Sequence, residues 1–313
     1  MEDKQFKQLV RHRISFFGMD IGNATETIIS QYRIGKKILV ILNTVDSAID
    51  YYLRIKNFLI SKEEDTSHLV LYHSRFIERD RRKKEIIIKK APKQKNGFIA
   101  VTTQVVEVSL NIDYDMLFTQ VAPIDALVQR FGRVNRKGMK SIFDDGNIMI
   151  YNYGHTDHKI YGEANLVKAR EIVEADLDKK SPSESLIRSL IDKQYPVENT
   201  LAELKKEEKY VNTDLKMLRN DLWEIQTLLL GDRDNALYKI ARTRQEKVPD
   251  IEIIPSIYEN EISTKRHAIE SMYYIVRVPL YKFEKCIRYH ADSSFIPVGD
   301  INYSIELGAT GCL

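Results

Sequence analysis

Cysteine is almost absent from this sequence, with two residues, Cys286 and Cys312, in a chain of 313. Two cysteines are too few for a disulfide framework or a four-cysteine zinc site, which favours a reducing compartment and predicts a cytoplasmic protein. The charged start, MEDKQFKQLV, lacks the apolar core of a signal peptide, and no long apolar run follows it. The sequence therefore predicts neither a membrane span nor a secretion signal.

An excess of charge of one sign is also lacking. The chain carries 48 Lys plus Arg against 45 Asp plus Glu, for a net charge of +3. Because a nucleic-acid site can be a local stripe on a nearly neutral protein, this balance neither requires nor excludes a polyanionic partner. The length and the 43% hydrophobic content are those of a globular chain of about two domains.

Short runs rich in Ile, Val, Leu and Phe alternate with longer stretches of helical period in the first half of the chain. This pattern is typical of a parallel sheet flanked by crossover helices, and we predict such an α/β domain over residues 1–155. The predicted strands are Ile38–Leu42, Leu69–Tyr72, Phe98–Thr102, Met116–Gln120 and Ile148–Tyr153. The predicted helices are Ser47–Ile60, Glu78–Lys89 and Pro123–Lys137. Open α/β sheets bind ligands beyond the carboxyl ends of their strands, where Asn43, His73, Thr103 and Ala122 lie.

The second half of the chain does not show the regular alternation of apolar strands and helices. Charged amphipathic helices are predicted over Glu163–Leu177 and Asn199–Leu230, with a break at Ser181-Pro182-Ser183. Short β-rich runs follow, including Tyr273–Val278 and Tyr303–Leu307. We predict a second, mixed α+β domain over residues 156–313.

The segment APIDALVQRFGRVNRKG, residues 122–138, carries the start and stop signals of a helix. Proline lies near its start and glycine follows its end. On such a helix Gln129, Arg133 and Arg136 cluster within roughly 60°, opposite the apolar face. Guanidinium groups match phosphate oxygens, so this face can neutralise charge on a transferring phosphoryl group. A solvated basic face is the alternative.

A second polar segment lies about 20 residues earlier, where a predicted strand runs into Thr102, Thr103 and Gln104. Hydroxyl and amide groups at a carboxyl end can contact sugar or phosphate. Ordinary turn and cap chemistry is the alternative reading of these residues.

The run TTQVVEVSLNIDYD, followed by VAPIDALVQRFGRVNRKG, resembles motifs V and VI of superfamily-two helicases. The same segments resemble those of the CRISPR-associated helicase-nucleases of type I systems, the Cas3 family. Ile38–Thr44 resembles motif IV, the run LYHSRF with Asp80 and Arg81 resembles the motif that follows the next strand, and Tyr303–Gly308 is similar to the terminal strand.

The resemblance implies the second RecA-like lobe of an ATP-dependent translocase that moves 3′-to-5′ on single-stranded DNA. Gln129, Arg133 and Arg136 would face the ATP phosphates, with both arginines as candidate arginine fingers. Asn111 would lie near the ribose, where the family usually carries aspartate. The residues expected along the single strand are Thr102, Thr103, Gln104, His73, Ser74 and Arg75. Arg79, Arg81, Arg82, Lys83 and Lys84 either extend that track or form a solvated helix face.

The sequence contains neither a G-x-x-x-x-G-K-[ST] loop nor a D-E-x-H segment. ATP with Mg²⁺ would therefore be held mainly by a first RecA-like lobe, and we expect this chain alone to be inactive as an ATPase, as a cloned fragment or one subunit of a split helicase. The resemblance further implies a Cascade-type effector complex and an HD nuclease domain or subunit as partners. We interpret His155, Asp157 and His158 as a polar loop and predict no metal site.

Two other functions remain open from the residues alone. One is a different superfamily-two enzyme that acts on RNA or DNA. The other is a non-catalytic module, derived from a helicase lobe, that binds nucleic acid or a protein partner.

Overall fold

The main body is a six-stranded sheet in which every pair of neighbouring strands is parallel. The structure, a computed structural model, describes residues 11–138, 146–196, 250–263, 271–288 and 296–313. The strand order is β1-β6-β5-β2-β4-β3. The strands are β1 (Ile14–Phe17), β2 (Lys37–Ile41), β3 (Leu69–Tyr72), β4 (Phe98–Thr102), β5 (Met116–Gln120) and β6 (Ile148–Tyr151).

Helices cover both faces of this sheet. They are α1 (Thr25–Arg33), α2 (Val45–Ser61), α3 (Glu78–Lys90), α4 (Val105–Ser109), α5 (Ile124–Phe131), α6 (His158–Tyr161), α7 (Glu163–Ile172) and α8 (Glu184–Gln194). Alternate residues of β2 enter opposite cores: Leu39 and Ile41 pack on one face, Ile38 and Val40 on the other. A strand buried on both faces must be apolar at consecutive positions, which explains the KILVI sequence of β2.

The predicted parallel α/β architecture is confirmed, with some differences in element bounds. Three predicted strands agree with β3, β4 and β5 in both bounds, and the strand predicted to reach Tyr153 ends at Tyr151. The prediction omitted β1 and the helices α1, α4, α6 and α8.

Helix α5 is much shorter than predicted. The helix expected over Pro123–Lys137 ends at Phe131. Residues beyond Gly132 leave the helix because they pair with the segment before β5: Val134 forms a parallel bridge with Tyr114. A tertiary contact, invisible in local sequence, therefore ends the helical geometry before Arg133.

The helices that follow β6 pack against one face of the sheet. Glu163–Leu177 is helical as predicted, although its last turn, Val173–Leu177, has π geometry. Ile172, Val173 and Leu190 of this region lie in the same hydrophobic core as one face of the sheet. The predicted helix Asn199–Leu230 lies outside the described residues, and the division at residue 155 stays a prediction.

The C-terminal part is mixed α+β, as predicted. A four-stranded sheet of order β8-β7-β10-β9 combines parallel and antiparallel pairs, and an antiparallel hairpin, β11-β12, follows it. Its elements are β7 (Asp250–Pro255), α9 (Glu259–Ser263), β8 (Val276–Pro279), α10 (Leu280–Phe283), β9 (Ile287–Arg288), β10 (Val298–Gly299), β11 (Ile301–Ser304) and β12 (Gly308–Cys312).

The two cysteines are joined in this C-terminal part. Cys286 and Cys312 form a disulfide, with their Cα atoms 5.6 Å apart. The cysteine count argued against a disulfide framework, and nothing in a separation of 26 residues predicts this single pair. None of the helices in the described ranges has the length and apolar character needed to cross a bilayer.

Candidate functional site

The predicted site residues lie at two opposite edges of the parallel sheet. Asn43, His73 and Thr103 follow the carboxyl ends of β2, β3 and β4. Arg133, by contrast, lies at the amino-terminal edge, because its carbonyl accepts a 3.0 Å hydrogen bond from the backbone of Tyr114, just before β5. The two arginines therefore lie at the edge opposite to the strand ends, where open α/β sheets usually bind ligands.

Arg133 and Arg136, the two predicted arginine fingers, lie in the turn after α5 and not in the helix itself. This turn, residues 132–138, is called the arginine turn below. Asn135 in this turn has a positive φ of 43°, a left-handed conformation that asparagine tolerates. The helical projection that placed Gln129 beside both arginines does not apply beyond Phe131. Gln129 lies on the exposed side of α5.

Arg136 is the more accessible of the two arginines. Its guanidinium donates to the side-chain oxygen of Asn111, and its backbone N–H donates to a carboxylate oxygen of Asp113 at 3.0 Å. The structure thus brings Asn111 and Arg136 together, although 25 residues separate them.

Arg133 is half-buried, and its guanidinium is hydrogen-bonded to backbone carbonyls. Its guanidinium donates to the carbonyl of Leu110 at 2.7 Å and to the carbonyl of Glu107, while its buried Nε has no hydrogen-bond partner. Burial, reinforced by the charge of Arg136, lowers the pKa of Arg133. A neighbouring anion would offset both effects, so the residues present fit a phosphate group.

Arg130, one turn earlier, is fully buried at 0% exposure and has a different role. Its five N–H donors all find acceptors, which are Glu107 Oε1 at 2.8 Å, Thr119 Oγ1 at 2.8 Å, the Gln120 carbonyl at 3.3 Å, Asn43 Oδ1 at 3.0 Å and Tyr161 Oη at 2.9 Å. Burial acts to lower the pKa of Arg130, but Tyr161 and Glu107 outweigh it and leave that pKa raised. Arg130 therefore joins α4, β5, the loop after β2 and α6 through one charged group.

A polar network extends from Arg130 to the carboxyl edge. Asn43 Nδ2 donates to Asp157 Oδ2 at 2.7 Å, and Gln104 Nε2 donates to the Asn43 carbonyl at 2.7 Å. Burial raises the pKa of Asp157. Sequence reasoning missed Asp157 and Tyr161 as parts of this network, because no spacing pattern links them to residues more than 25 positions away.

The side chains of His155, Asp157 and His158 do not point toward a common site. His155 and His158 are exposed, whereas Asp157 is buried and bonded to Asn43 and to the backbone of Gly154. Within the described ranges, no group of three His, Cys, Asp or Glu side chains is arranged to hold a metal ion.

Replacing Tyr161 with phenylalanine tests the importance of this network. The substitution removes the hydroxyl that accepts from Arg130 and leaves one buried N–H without a partner, so we expect the free energy of unfolding to fall by about 1–3 kcal/mol. Urea unfolding followed by far-UV circular dichroism measures the change. Tyr153→Phe is the matched control, because the hydroxyl of Tyr153 bonds to Glu163 at the surface. Equal stability of the two variants would contradict the assignment.

The residues predicted along the single strand differ in accessibility. Thr102, Thr103, His73 and Arg75 are all buried, and Thr102 Oγ1 donates to the Val40 carbonyl at 3.1 Å. Ser74 is exposed and Gln104 is half-buried. Only the latter two side chains of the six are open to a ligand without rearrangement.

The C-terminal hairpin holds the loop after β3 in place. His73 Nε2 donates to the Leu307 carbonyl at 3.1 Å, and His73 Nδ1 accepts from the Arg75 backbone at 3.1 Å. Gly308 adopts φ +71°, and a Cβ atom there would lie 2.4 Å from the Arg75 carbonyl. Glycine at this position lets the hairpin approach the loop closely.

Basic residues of α3 also bind the C-terminal part. The Arg79 guanidinium lies 4.9 Å from the ring centre of Tyr258 and 5.0 Å from that of Tyr274. Lys84 lies over the ring of Phe76 and donates to the Glu306 carbonyl at 3.2 Å. These contacts give Arg79 and Lys84 a role in docking the C-terminal elements.

The burial of His73 predicts how the stability of the folded chain depends on pH. Burial lowers the pKa of His73 from 6.5 to about 3, in accord with a neutral ring that donates through Nε2 and accepts through Nδ1. The unfolded chain binds a proton between these values and the folded chain does not. The stability that His73 contributes is therefore complete above pH 6.5 and is lost as pH falls, by about 2 kcal/mol at pH 5.

Imidazole NMR signals followed from pH 7 to pH 4 measure this directly, with the exposed His155 and His158 as references in the same spectra. We expect the His73 signal to remain that of a neutral ring at pH 5. A titration midpoint near 6 in the folded protein would contradict the prediction.

The parallel sheet and its flanking helices form a RecA-like α/β lobe, and a mixed α+β C-terminal part follows it. Residues 34–139 match the family model described as the C-terminal region of the CRISPR-associated nuclease/helicase Cas3. A putative Cas3 nuclease/helicase of Methanocaldococcus jannaschii is 27% identical over 274 residues, which cover 83% of this chain and 33% of that protein. The Escherichia coli Cas3 endonuclease/helicase is 40% identical over 119 residues, which cover 37% of this chain and 13% of that protein.

Solved structures agree with this relationship at the level of the fold. The crystal structure of T. fusca Cas3 aligns with a TM-score of 0.65 at 16% identity, over 95% of this chain and 40% of that one. A chain of a CRISPR RNA-guided surveillance complex in a pre-nicking state aligns with a TM-score of 0.61 at 14% identity, over 97% of this chain and 42% of that one. The sequence matches and the fold together show that this chain is similar to the C-terminal part of the Cas3 helicases. The chain spans about one third of the length of the M. jannaschii relative.

Proposed function

We propose that this chain forms the C-terminal half of an ATP-dependent helicase that moves 3′-to-5′ along single-stranded DNA in CRISPR interference. Residues 1–155 act as the second RecA-like lobe and residues 156–313 as a helical linker and accessory domain. The working enzyme includes a first RecA-like lobe, a Cascade-type complex and an HD nuclease domain or subunit. The similarity to Cas3 sequences supports this proposal.

The observation that carries the proposal is the meeting of Arg133, Arg136 and Asn111 at the amino-terminal edge of the sheet. The three residues come from the two motifs that resemble helicase motifs V and VI. Arg136, which is exposed, is placed to neutralise charge on a phosphoryl group presented by a facing lobe. Arg133 holds the end of α4 through the Glu107 and Leu110 carbonyls and adds a second positive charge.

Bound ATP with Mg²⁺ supplies the phosphoryl group and is held mainly by the first lobe. Asn111 orients Arg136 through its amide oxygen, and its exposed amide can donate to or accept from a ribose hydroxyl. Gln129, exposed on α5 four residues before Arg133, is assigned a contact with the same phosphates by the resemblance to the helicase motif. These residues bind and orient, and none of them needs to exchange a proton.

The opposite edge of the sheet supplies contacts to the single strand. Ser74 and Gln104 offer a hydroxyl and an amide to the phosphate backbone, a type of contact that grips a strand without reading its sequence. The buried side chains of His73, Arg75, Thr102 and Thr103 hold these two loops in position.

The proposal is tested by mixing this chain with the first RecA-like lobe from the same source and measuring ATP hydrolysis with and without single-stranded DNA. We expect hydrolysis that needs both chains and rises with DNA. Equal stimulation by RNA would favour a different superfamily-two enzyme, since the 2′-hydroxyl distinguishes the two strands. No hydrolysis by a covalently joined two-lobe protein, together with retained DNA binding, would favour a non-catalytic binding module.

A further inference from the structure

The C-terminal hairpin, β11-β12, contacts the loop after β3 and the start of α3. It forms a two-stranded sheet of its own, and a two-stranded hairpin is only marginally stable by itself. The backbone N–H of Ala309 donates to the Arg75 carbonyl at 2.8 Å. Tyr303 Oη donates to Asp80 Oδ2 at 2.8 Å and accepts from the backbone N–H of Ile77 at 3.1 Å. The position of the hairpin therefore depends on the groups to which it is tied.

The disulfide between Cys286 and Cys312 ties the end of this hairpin to the segment after α10. Cys312 is the last residue of β12, and Cys286 lies between α10 and β9. Lys282 of α10 donates to Asp46 at 2.7 Å, and Asp46 also accepts from Arg75 Nη1 at 2.6 Å. Because the Arg75 carbonyl binds the hairpin, the disulfide completes a ring of contacts around the loop after β3.

Both sulfur atoms have a carbonyl oxygen beside them. The Phe283 carbonyl lies 2.9 Å from Cys286 Sγ, and the Lys282 carbonyl lies 3.9 Å from Cys312 Sγ. A disulfide has no proton to donate, so only thiols can use these acceptors as hydrogen-bond partners. The surroundings of the pair therefore suit the reduced state as well as the oxidised state.

The more accessible cysteine is Cys312, which is half-buried, whereas Cys286 is 8% exposed. Disulfide exchange begins when a thiolate attacks one sulfur of the bond. A dithiol reductant would attack Cys312 Sγ, form a mixed disulfide and release Cys286 as a thiolate that takes up a proton. The second thiol of the reductant then displaces Cys312 and closes a disulfide within the reductant. Two electrons and two protons pass to the cysteines, and the dithiol is oxidised.

We propose that Cys286 and Cys312 form a reversible redox switch. Their disulfide holds the C-terminal hairpin against the loop after β3, and reduction by a dithiol lets the hairpin and the loop open more often. The cysteine count predicts a reducing compartment, where disulfides are usually transient and regulatory. The switch itself is independent of the proposed function, and only its effect on DNA, through Ser74 of the loop, rests on that function.

The first measurement compares the whole chain after oxidation with diamide and after reduction with dithiothreitol. Alkylation and intact mass report the free thiols, and hydrogen exchange with mass spectrometry reports local opening. We expect both thiols to be blocked by oxidation and recovered by dithiothreitol in the folded chain. Exchange in residues 73–77 and 301–312 should become about tenfold faster or more on reduction, while β2 and β4 are unchanged, because the cross-link no longer restrains the open state.

The double variant Cys286→Ser with Cys312→Ser is the matched control, because the chain contains no other cysteine. Its exchange should resemble that of the reduced chain and should not respond to dithiothreitol. Three results would overturn the inference: thiols that stay free after diamide, a disulfide that dithiothreitol reaches only after unfolding, or equal exchange in the two states. The second of these would indicate a permanent structural cross-link.

The second measurement is the affinity for a fluorescent single-stranded DNA, recorded by anisotropy for the oxidised and the reduced chain. We expect reduction to raise the Kd about threefold or more, because the loop that carries Ser74 must then be ordered on binding. If hydrogen exchange responds to reduction but the Kd does not, the redox switch stands and the assignment of this loop to the DNA strand fails. If Ser74→Ala weakens DNA binding but exchange does not respond to reduction, that assignment stands and the redox switch fails.

Discussion

Replacing Arg130 with methionine is expected to lower the free energy of unfolding by about 3–5 kcal/mol, the largest stability change of any single substitution considered for this lobe. The guanidinium is fully buried, and all five of its donors are bonded. Methionine fills a similar volume but leaves the Glu107 carboxylate buried without its 2.8 Å ion pair. An unpaired buried charge is far less stable than either the pair or an apolar replacement of both partners.

Urea unfolding followed by far-UV circular dichroism measures the loss. The double variant Arg130→Met with Glu107→Leu should recover part of the lost stability, because it removes the uncompensated carboxylate. Arg188→Met, on the exposed side of α8, is the matched control and should change stability by less than about 0.5 kcal/mol. A loss from Arg130→Met no larger than that of this control would show that the buried pair contributes little.

Replacing Arg136 with alanine is expected to reduce DNA-stimulated ATP hydrolysis by the two-lobe protein about a thousandfold or more, the size of effect known for arginine fingers. The side chain is exposed and its guanidinium bonds only to Asn111 among the described contacts, so folding should be little affected. The loss should appear in kcat more than in the KM for ATP, because the charge that Arg136 meets is greatest in the transition state.

Arg133→Ala provides the structural comparison for this experiment. Arg133 holds the Glu107 and Leu110 carbonyls, so its loss should lower the melting temperature as well as the activity, whereas Arg136→Ala should lower the activity alone. Hydrolysis that persists in Arg136→Ala at near-normal kcat would remove Arg136 from the chemistry and would leave the turn with a structural role.

Much of the α/β lobe was predictable from local sequence. Runs such as ILVI and FIAV are apolar at consecutive positions, as a strand buried on both faces requires, and three of the five strands were predicted in both bounds. Of the elements that were missed, β1 and α1 lie in a stretch with more mixed composition. The strand order was not predictable, because it depends on which crossovers pack against which face.

The candidate site was predictable only in part. The order of the two helicase-like segments identified Arg133, Arg136 and Asn111, whose meeting is visible in the structure. Their accessibility was not predictable, because it depends on where α5 ends, and a bridge between Val134 and Tyr114 decides that. The burial of His73 and Arg75 likewise depends on a hairpin more than 200 residues later.

The sequence by itself determined the alternation of strands and helices, the near neutrality of the chain and the identity of the two polar segments, because these follow from composition, period and spacing. Only the tertiary structure decided that the arginines and the strand-end residues lie at opposite edges of one sheet. It also decided that Arg130 is a buried junction and that Arg11 donates a hydrogen bond to the Arg136 carbonyl of the arginine turn. These outcomes depend on hydrogen bonds between residues far apart in the chain, and no local pattern of residues specifies which distant groups will meet.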